Sequence, residues 1–403
     1  MKLLNLKIFG ILLFFCVFLS CTTNTNKIEN VNKGKLKATM QLSAVKTKRI
    51  ILDTNTAPKP QYIQMYKDAT SNTLNLTFLN TYDNSIYFYD YKTLNFLRRI
   101  SYNKKGADGI EMPLGYHIKN MDSIYVFNYI NLELLIANDK GKVLDKIPLT
   151  DNQDFKKASS QSLFYAQFLP ETSNPFLETS KELLLPAQYI RTIPDSLISK
   201  IKFLERVNLK TNELTLNNTY PSSLYGSNYN WDDETFTEVF GELHPDGDKL
   251  IYSFPISHEL YITKIGSEQY KTVYAGSNFA GTILSIGKKP NKTKREDLIQ
   301  HIVSQDLYAA IKYDKYRKVY YRFLRRAIPN ATIKTQIKEK PITVIILDSN
   351  FGYLGETTIG TSEDWHWQNS FVTEEGLNIE FIDKKDVDEG SLNFKIFVPK
   401  KIK

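Results

Sequence analysis

The sequence predicts an all-β protein, a β-propeller of six blades that an N-terminal strand closes. Short strand-like runs recur along the whole chain, each rich in Ile, Val, Tyr, Phe and Thr and bounded by Asn, Asp, Gly, Lys or Ser. Two of these runs repeat at about the spacing of a propeller blade, ~40 residues. Many short strands separated by turns favour a propeller, a barrel or a sandwich.

The internal repeat lies at residues 84–90 and 122–128. Both segments read polar-Ser-Ile-Tyr-apolar-aromatic-Asx, and a turn and a second strand follow each of them. A third feature, at residues 244–252, is a Pro-Asp-Gly turn that leads into a strand and resembles the turn of TolB-type and WD40-like propeller repeats. A radial array leaves few open strand edges, so it accommodates many short strands.

These repeats divide the chain into six blades, and a strand at residues 50–53 completes the last one. Residues 283–302 are typical of a polar loop that runs into a short helix. The alternative fold is a two-domain β-sandwich arrangement. The expected blades lie near residues 62–100, 115–150, 160–220, 236–276, 305–360 and 364–400.

The N-terminus has the layout of a secretory signal peptide, which we place at residues 1–20. A basic start precedes the apolar run 8–19, which is too short to span a bilayer comfortably, since ~20 apolar residues are needed. Residues 18–21, Phe-Leu-Ser-Cys, resemble a bacterial lipobox. This resemblance implies cleavage before Cys21 and diacylglycerol on its sulfur. The alternatives are a transmembrane anchor and an ordinary signal peptide.

The expected mature chain contains one cysteine, and acylation would leave no disulfide, zinc–thiolate site or thiol nucleophile. Residues 21–36 predict a flexible tether and residues 37–403 the propeller domain. Hydrophobic residues make up 42% and aromatic residues 13%, which excludes a disordered chain. The formal net charge of +8 is scattered along the sequence, so we expect a solvated basic surface and no nucleic-acid partner.

Neither a metal-ligand spacing nor a cofactor-binding glycine loop occurs in the sequence, so we expect no metal, no cofactor and no catalytic residues. Two aromatic–acidic clusters, 229–234 and 363–367, hold all three tryptophans. Tryptophan beside carboxylates can stack on a sugar ring and bind its hydroxyls, whereas the alternative is packing between blades. The candidate ligand-binding residues are Trp231, Asp232, Asp233, His244, Trp365, His366 and Trp367.

Two further segments have simpler structural explanations. The run 244–248, His-Pro-Asp-Gly-Asp, fits a hairpin turn better than a metal site. The aromatic and arginine residues of 308–326 alternate in a way that fits a strand with one apolar face better than an anion-binding surface.

A family resemblance adds to these observations. The lipobox, the paired Ile-Tyr strands and the Gly-Ala-Asp-Gly-Ile segment at 106–110 between them resemble a group of Bacteroidetes lipoproteins of the DUF4221 type. Ala107 stands where a proline is common in those relatives. The resemblance implies a six-bladed propeller, an envelope location and no established enzymatic activity. No acidic run follows Cys21, which departs from the surface-export signal of some lipoproteins of that phylum.

The function expected from the sequence is that of an envelope lipoprotein whose propeller binds a ligand or another protein. We expect it in the outer membrane, facing the periplasm, as a monomer held in the bilayer through acylated Cys21. An envelope protein, a glycan or a peptide is the expected partner. The alternative is a glycan- or peptide-directed hydrolase or lyase that uses the Trp/Asp clusters at the propeller mouth.

Overall fold

The chain folds as a ring of six four-stranded antiparallel sheets, which confirms the predicted six-bladed propeller. We analysed a computed structural model. It describes residues 26–56, 60–149, 166–190, 193–226, 229–286, 293–386 and 389–402. Residues 1–20, where the sequence predicts a signal peptide, and Cys21 lie outside these residues, so cleavage and lipidation stay predictions.

The strands carry the β-branched and aromatic residues that the sequence concentrates in short runs. In chain order they are β1 (Lys27–Ile28), β2 (Met40–Ile51), β3 (Ile63–Lys67), β4 (Leu74–Asn80), β5 (Ser85–Asp90), β6 (Phe96–Ser101), β7 (Pro113–Asn120), β8 (Ser123–Asn128), β9 (Glu133–Ala137), β10 (Val143–Pro148), β11 (Leu177–Glu178), β12 (Glu182–Pro186), β13 (Lys202–Asn208), β14 (Leu214–Thr219), β15 (Phe240–Leu243), β16 (Lys249–Ser253), β17 (Glu259–Lys264), β18 (Lys271–Tyr274), β19 (Ile283–Leu284), β20 (Leu307–Asp314), β21 (Val319–Arg325), β22 (Pro341–Leu347), β23 (Tyr353–Thr361), β24 (Trp365–Thr373), β25 (Gly376–Phe381) and β26 (Ser391–Lys401). Within the described ranges, the α-helices α1 (Ser222–Tyr225) and α2 (Arg295–Ser304) lie between blades.

Each blade begins at its innermost strand. Blades one to four are β3–β6, β7–β10, β11–β14 and β15–β18, and blade five is β20–β23. Blade six takes three strands from the C-terminus, β24, β25 and β26, and its outer strand is β2. The β2–β26 ladder runs from Met40 opposite Lys401 to Ile51 opposite Ser391. The N-terminal strand therefore closes the ring, as the sequence predicted.

The two ends of the propeller differ sharply. Because neighbouring strands within each blade are antiparallel, alternate connections lie at opposite ends of the ring. At one end, which we call the turn end, the connections span two to six residues. The other, which we call the insertion end, carries the longest connections. These are residues 149–176, 187–201, 220–239, 275–306 and 326–340. Helix α2 lies in one of them, where the sequence predicted a polar loop running into a short helix at 283–302.

The described part of the expected tether packs against the propeller. Strand β1 pairs with β19, which belongs to the connection between blades four and five. The side-chain amide of Asn30 donates hydrogen bonds to the carbonyls of Ser277 and Ala280, at 2.8 and 2.9 Å. Residues 27–36 thus differ from the flexible tether expected from their polar composition, because their polar groups pair with those of the connection.

A buried arginine joins blades four and five. Arg322, on β21, is fully enclosed and donates to Ser253 Oγ at 3.0 Å and to the carbonyl of Ser257 at 2.7 Å. Its guanidinium also lies 3.9 Å from the ring centre of Tyr308. Burial lowers the pKa of Arg322 to about 10, which leaves it charged at neutral pH. A buried charge is tolerated only with such complete pairing.

Replacing Arg322 tests this junction. We expect Arg322→Leu to lower the free energy of unfolding by about 3 kcal/mol or more, because several buried acceptors lose their donor at once. The control is Arg49→Leu, since Arg49 is half exposed and pairs only at the surface. That change should cost less than about 1 kcal/mol. Urea denaturation of both variants gives the comparison, and equal, small losses would contradict the role of Arg322.

Candidate functional site

A ring of polar contacts follows the innermost strands. His117 Nε2 on β7 lies 2.6 Å from Glu178 Oε2 on β11, and His117 Nδ1 lies 3.4 Å from Gln64 Nε2 on β3. Each of the six blades carries a polar side chain on its innermost strand. They are Gln64, His117, Glu178, Glu242, Lys312 and Asn369. The channel of the propeller is therefore polar, in contrast to the apolar faces between blades.

The charges of this ring perturb one another. Hydrogen bonding to His117 lowers the pKa of Glu178. Burial lowers the pKa of Lys312 to about 8, and the neighbouring Glu242 acts against this shift. Burial in turn raises the pKa of Glu242, with Lys312 opposing it. Perturbed groups in a channel are candidates for ligand binding, although ion-pair networks that serve only the fold perturb pKa values too.

Residues 166–176, which we call the plug, cross the mouth of this channel. The plug belongs to the connection between blades two and three, yet Thr172 contacts blades on the far side. Its amide donates to the carbonyl of Gln61 at 3.2 Å, and its hydroxyl donates to Asn369 Oδ1 at 2.7 Å. The ammonium of Lys312, on blade five, donates to the carbonyl of Thr172 at 2.6 Å.

The plug fits closely against blade two as well. A Cβ atom on Gly115 would lie 2.5 Å from Cβ of Pro170 and 3.2 Å from the ring of Tyr62, so only glycine allows this approach. The hydroxyl of Tyr62 accepts a hydrogen bond from the amide of Phe176 at 3.3 Å. The chain itself therefore obstructs the channel at the insertion end, and a ligand at this end would contact the plug and the surrounding connections.

An acidic cluster lies beside the plug. Arg325 Nη2, at the end of β21, donates to Glu238 Oε2 at 3.1 Å. Burial raises the pKa of Glu238 to about 7, and Arg325 only partly offsets it. The charges of Glu171, on the plug, and of Asp233 and Glu234 raise it further. The insertion end thus holds a carboxyl group that titrates near neutral pH.

The first predicted cluster lies at the insertion end, but its tryptophan is enclosed. Trp231 is buried, its indole N–H donates to the carbonyl of Leu224 at 2.9 Å, and its ring stacks on Tyr229 with centres 5.6 Å apart. Asp233 accepts from the amide of Thr235 at 2.8 Å and begins a short 3-10 turn. Asp232 accepts from the amide of Thr293 at 3.2 Å, which ties two connections together.

The second predicted cluster, at the start of β24, is also an internal one. Trp365 and Trp367 are both buried. The ring of Trp365 packs 5.7 Å from Phe397, and that of Trp367 packs 6.0 Å from Phe323. His366 Nδ1 lies 3.1 Å from Glu380 Oε2. With all three tryptophan rings enclosed, the sugar-stacking platform expected from the sequence does not form at these positions.

His244 lies at the other end of the molecule. It follows β15 and belongs to the short turn that leads into β16, at the turn end. Its Nδ1 lies 3.3 Å from the amide nitrogen of Asp246, and Gly247 takes a φ of +77° within the same turn. The structure therefore separates His244 from the two tryptophan clusters, and the seven predicted residues do not converge on one site. Among the described residues, no three His, Cys, Asp or Glu side chains gather as a metal ion would need.

A cleft of about 300 Å³ opens at the turn end, between blades one and six. Lys48 Nζ lies 3.0 Å from Glu375 Oε2, donates to the carbonyl of Tyr91 at 2.7 Å and lies 3.7 Å from the ring centre of that tyrosine. The hydroxyl of Tyr91 also donates to Glu375 Oε2, at 3.0 Å. Because these groups pair with one another, the cleft is best explained as the junction of the closing blade.

Sequence reasoning missed Lys312, Thr172 and Glu238. Of these three residues, only Lys312 could have been recognised from the sequence. It directly follows the apolar run at 307–311, and a charge inside such a strand needs a partner. Thr172 and Glu238 lie in long connections, where no periodicity predicts which side chain meets the channel.

The fold and the plugged channel define the class of protein, a six-bladed β-propeller with its insertions at one end. The chain matches the model of DUF4221, a domain of unknown function, over residues 39–358, so it belongs to that family.

Two solved structures show the same fold. A DUF4221 family member from Bacteroides vulgatus superimposes with a TM-score of 0.76 at 21% identity, over 90% of this chain and 99% of that one. A protein of Bacteroides fragilis proposed to be exported gives a TM-score of 0.50 at 11% identity, over 90% and 96%. No curated protein is similar enough to match the chain.

The raised pKa of Glu238 predicts a pH-dependent stability. The folded state holds the proton up to about pH 7, whereas the unfolded carboxyl releases it near 4.5. Stability therefore falls as pH rises from 4.5 to 7. We expect Glu238→Gln to remove this loss, so that it gains about 1–2 kcal/mol over the native protein across that interval.

This magnitude allows for solvent, because the side chain of Glu238 is 28% exposed. The measurement is urea denaturation between pH 4.5 and 8. Glu111→Gln, at an exposed position of another insertion-end connection, is the control and should follow the native profile. Parallel profiles for the native protein and Glu238→Gln would contradict the assignment.

Proposed function

We propose that this protein is an envelope lipoprotein that binds a partner protein or ligand through its insertion end. The observation that carries the proposal is where exposed apolar side chains lie. Among the described residues, seven large apolar side chains are exposed on insertion-end connections, whereas at the other end Tyr316 is exposed in a turn and Ile402 after β26. The seven are Tyr82, Met112, Ile130, Phe279, Leu284, Ile333 and Ile337. Exposed apolar side chains gathered on one surface mark interaction sites.

Three of these residues, Tyr82, Met112 and Ile130, lie on neighbouring connections over blades one and two, and we call them the apolar rim. Tyr82 and Met112 lie on the two connections that flank β5 and β6, and Lys104 donates to the carbonyl of Tyr82 at 3.3 Å. Ile130 adjoins Met112, because the amide of Tyr129 donates to the carbonyl of Met112 at 3.0 Å. Long loops on a rigid ring commonly carry binding residues, because the scaffold fixes their ends.

The envelope location draws on two observations. The sequence of residues 1–21 has the layout of a lipoprotein signal. The structural relative from Bacteroides fragilis is a protein proposed to be exported. In the part of the chain that the structure describes, no helix has the length and apolar character to cross a bilayer. Acylation of Cys21 would supply the attachment, and we propose the periplasmic face of the outer membrane as its site.

A binding role is favoured over hydrolysis by the state of the Trp/Asp clusters. Asp233 caps a turn and Asp232 holds a neighbouring connection, so both carboxylates serve the fold. The nearby tryptophans face the interior, which leaves no ring for a sugar substrate. The surface offered to a partner is instead apolar and lies on connections.

Site-specific photo-crosslinking in cells tests the proposal. We expect a photoreactive residue at Ile130, on the apolar rim, to give discrete crosslinked species. The same residue at Tyr316, at the turn end, should give none. The two positions are matched, because their side chains are 49% and 48% exposed.

A second variant separates contact from mere proximity. Met112→Asp places a charge at the centre of the apolar rim, on a side chain that is already exposed, and should abolish the Ile130 crosslinks without unfolding the protein. Crosslinks from Tyr316 only, or Ile130 crosslinks that persist in Met112→Asp, would contradict binding at the insertion end.

A further inference from the structure

The N-terminal segment leaves the propeller at the insertion end. Asn26 is the first described residue, and its carbonyl accepts from the amide of Ser285, at 2.9 Å. The hydroxyl of Tyr229 donates to the carbonyl of Lys27 at 3.3 Å. Both partners belong to insertion-end connections, so the chain before Asn26 starts at this end, close to blades four and five.

Docking of this segment shortens the free chain between Cys21 and the propeller. A free tether from Cys21 to residue 37 could extend by ~55 Å, at about 3.5 Å per residue. Because residues 27–36 are held by the propeller, only the steps from Cys21 to Asn26 remain, which reach at most ~18 Å. A lipid on Cys21 would therefore keep the surface around Asn26 next to the bilayer.

The surface around the docked segment combines apolar and basic side chains. Val31 and Phe279 are exposed. Leu284, which lies on β19 and pairs with Lys27 of β1, is exposed as well. Helix α2 continues this surface, because His301 Nε2 lies 2.9 Å from the carbonyl of Leu284. Beyond α2 lie the exposed side chains of Ile333 and Ile337. We call these five apolar residues and their neighbours the membrane patch.

The charge of the docked segment suits an anionic surface. Between residues 27 and 36 there are three lysines, at 27, 33 and 35, and a single acidic residue, Glu29, which pairs with Lys27 at 2.5 Å. All three lysines are exposed. Exposed lysines beside shallow apolar side chains are typical of segments that lie at the headgroup level of a bilayer.

We propose that the membrane patch lies on the headgroups of the bilayer that anchors the protein. This inference rests on the proposed acylation of Cys21, and it goes further by fixing the orientation of the propeller. Blades four and five face the membrane. The apolar rim, on blades one and two, lies on the opposite side of the insertion end and stays accessible to a partner.

Fluorescence quenching in proteoliposomes tests the orientation. The full chain, purified from membranes, carries only acylated Cys21 after processing, because Cys16 leaves with the signal peptide. A cysteine at Phe279 or at Leu144 can therefore be labelled selectively with a fluorophore. Leu144 is the matched control, since both side chains are 51% exposed and Leu144 lies on the outer strand of blade two, across the ring from blade five.

With nitroxide-labelled headgroups in vesicles that contain phosphatidylglycerol, we expect quenching at position 279 and none at 144. Equal quenching at both positions, or quenching at 144 alone, would overturn the orientation. Mass spectrometry of the same sample shows whether Cys21 carries the lipid. Quenching that fails with the lipid present refutes the orientation alone, whereas a missing lipid refutes both the anchor and the inference drawn from it.

Charge variants test the headgroup contact. Lys33→Gln with Lys35→Gln should reduce quenching at 279 in phosphatidylglycerol vesicles and leave it unchanged in pure phosphatidylcholine. Lys140→Gln with Lys142→Gln, exposed on blade two, should change neither. The same quenching should fall when salt rises from 0.1 to 1 M, where screening shortens from about 10 to about 3 Å. Quenching at 279 that changes neither with the lysine substitutions nor with salt would overturn the contact with anionic headgroups.

Discussion

The pairing of β2 with β26 is the constraint on which the rest of the molecule depends. This ladder joins the two ends of a long chain in one sheet, from Met40 opposite Lys401 to Ile51 opposite Ser391. Without β2, blade six would keep only three strands, and no ladder would join the first and last blades through the two ends of the chain. Because the outer strand β2 comes from the N-terminal part of the chain, the segment that precedes it passes along the outer side of blade five. Closure therefore also determines where the N-terminal segment docks.

Closure completes the ring, and the two ends of the ring then differ in the length and composition of their connections. The turn end has short connections, with aspartate or asparagine side chains that cap their own backbone, as Asp90 does for the amides of Lys92 and Thr93. The insertion end carries the plug, helix α2 and the apolar rim. Polar side chains cross blade boundaries there, as between Lys312 and Thr172. We therefore propose that contacts with other molecules are made at this end, because it carries the longest connections.

The sequence predicted the ring well because a blade is a local pattern. The six expected blades match the six sheets, and the run at 50–53 overlaps the end of β2. The repeat was wrong strand for strand, because 84–90 became β5, the third strand of blade one, and 122–128 became β8, the second strand of blade two. Local periodicity cannot show which insertions meet. The docking of Asn30 on Ser277 joins residues far apart in the chain, and the polar composition of 21–36 gave no sign of it.

The candidate site was harder to predict for the same reason. Tryptophan beside carboxylates is compatible with a sugar platform and with packing, and burial of Trp231 and Trp365 decides for packing. We grouped His244 with these tryptophans by composition, yet the direction of β15 places it at the turn end. Glu238 and Thr172 lie in connections whose paths depend on contacts between blades. Sequence patterns predict blades, whereas tertiary contacts decide which loop residues share a surface.

Hydrogen exchange of the membrane-bound protein tests the central claim, that the insertion end is the interacting surface. The comparison is between native envelope membranes, where we expect the proposed partner, and the purified protein in lipid alone. The account predicts slower exchange in native membranes at residues 102–112 and 129–132, with no change in the turns at 68–73 and 209–213. Slower exchange confined to the turn end would contradict it.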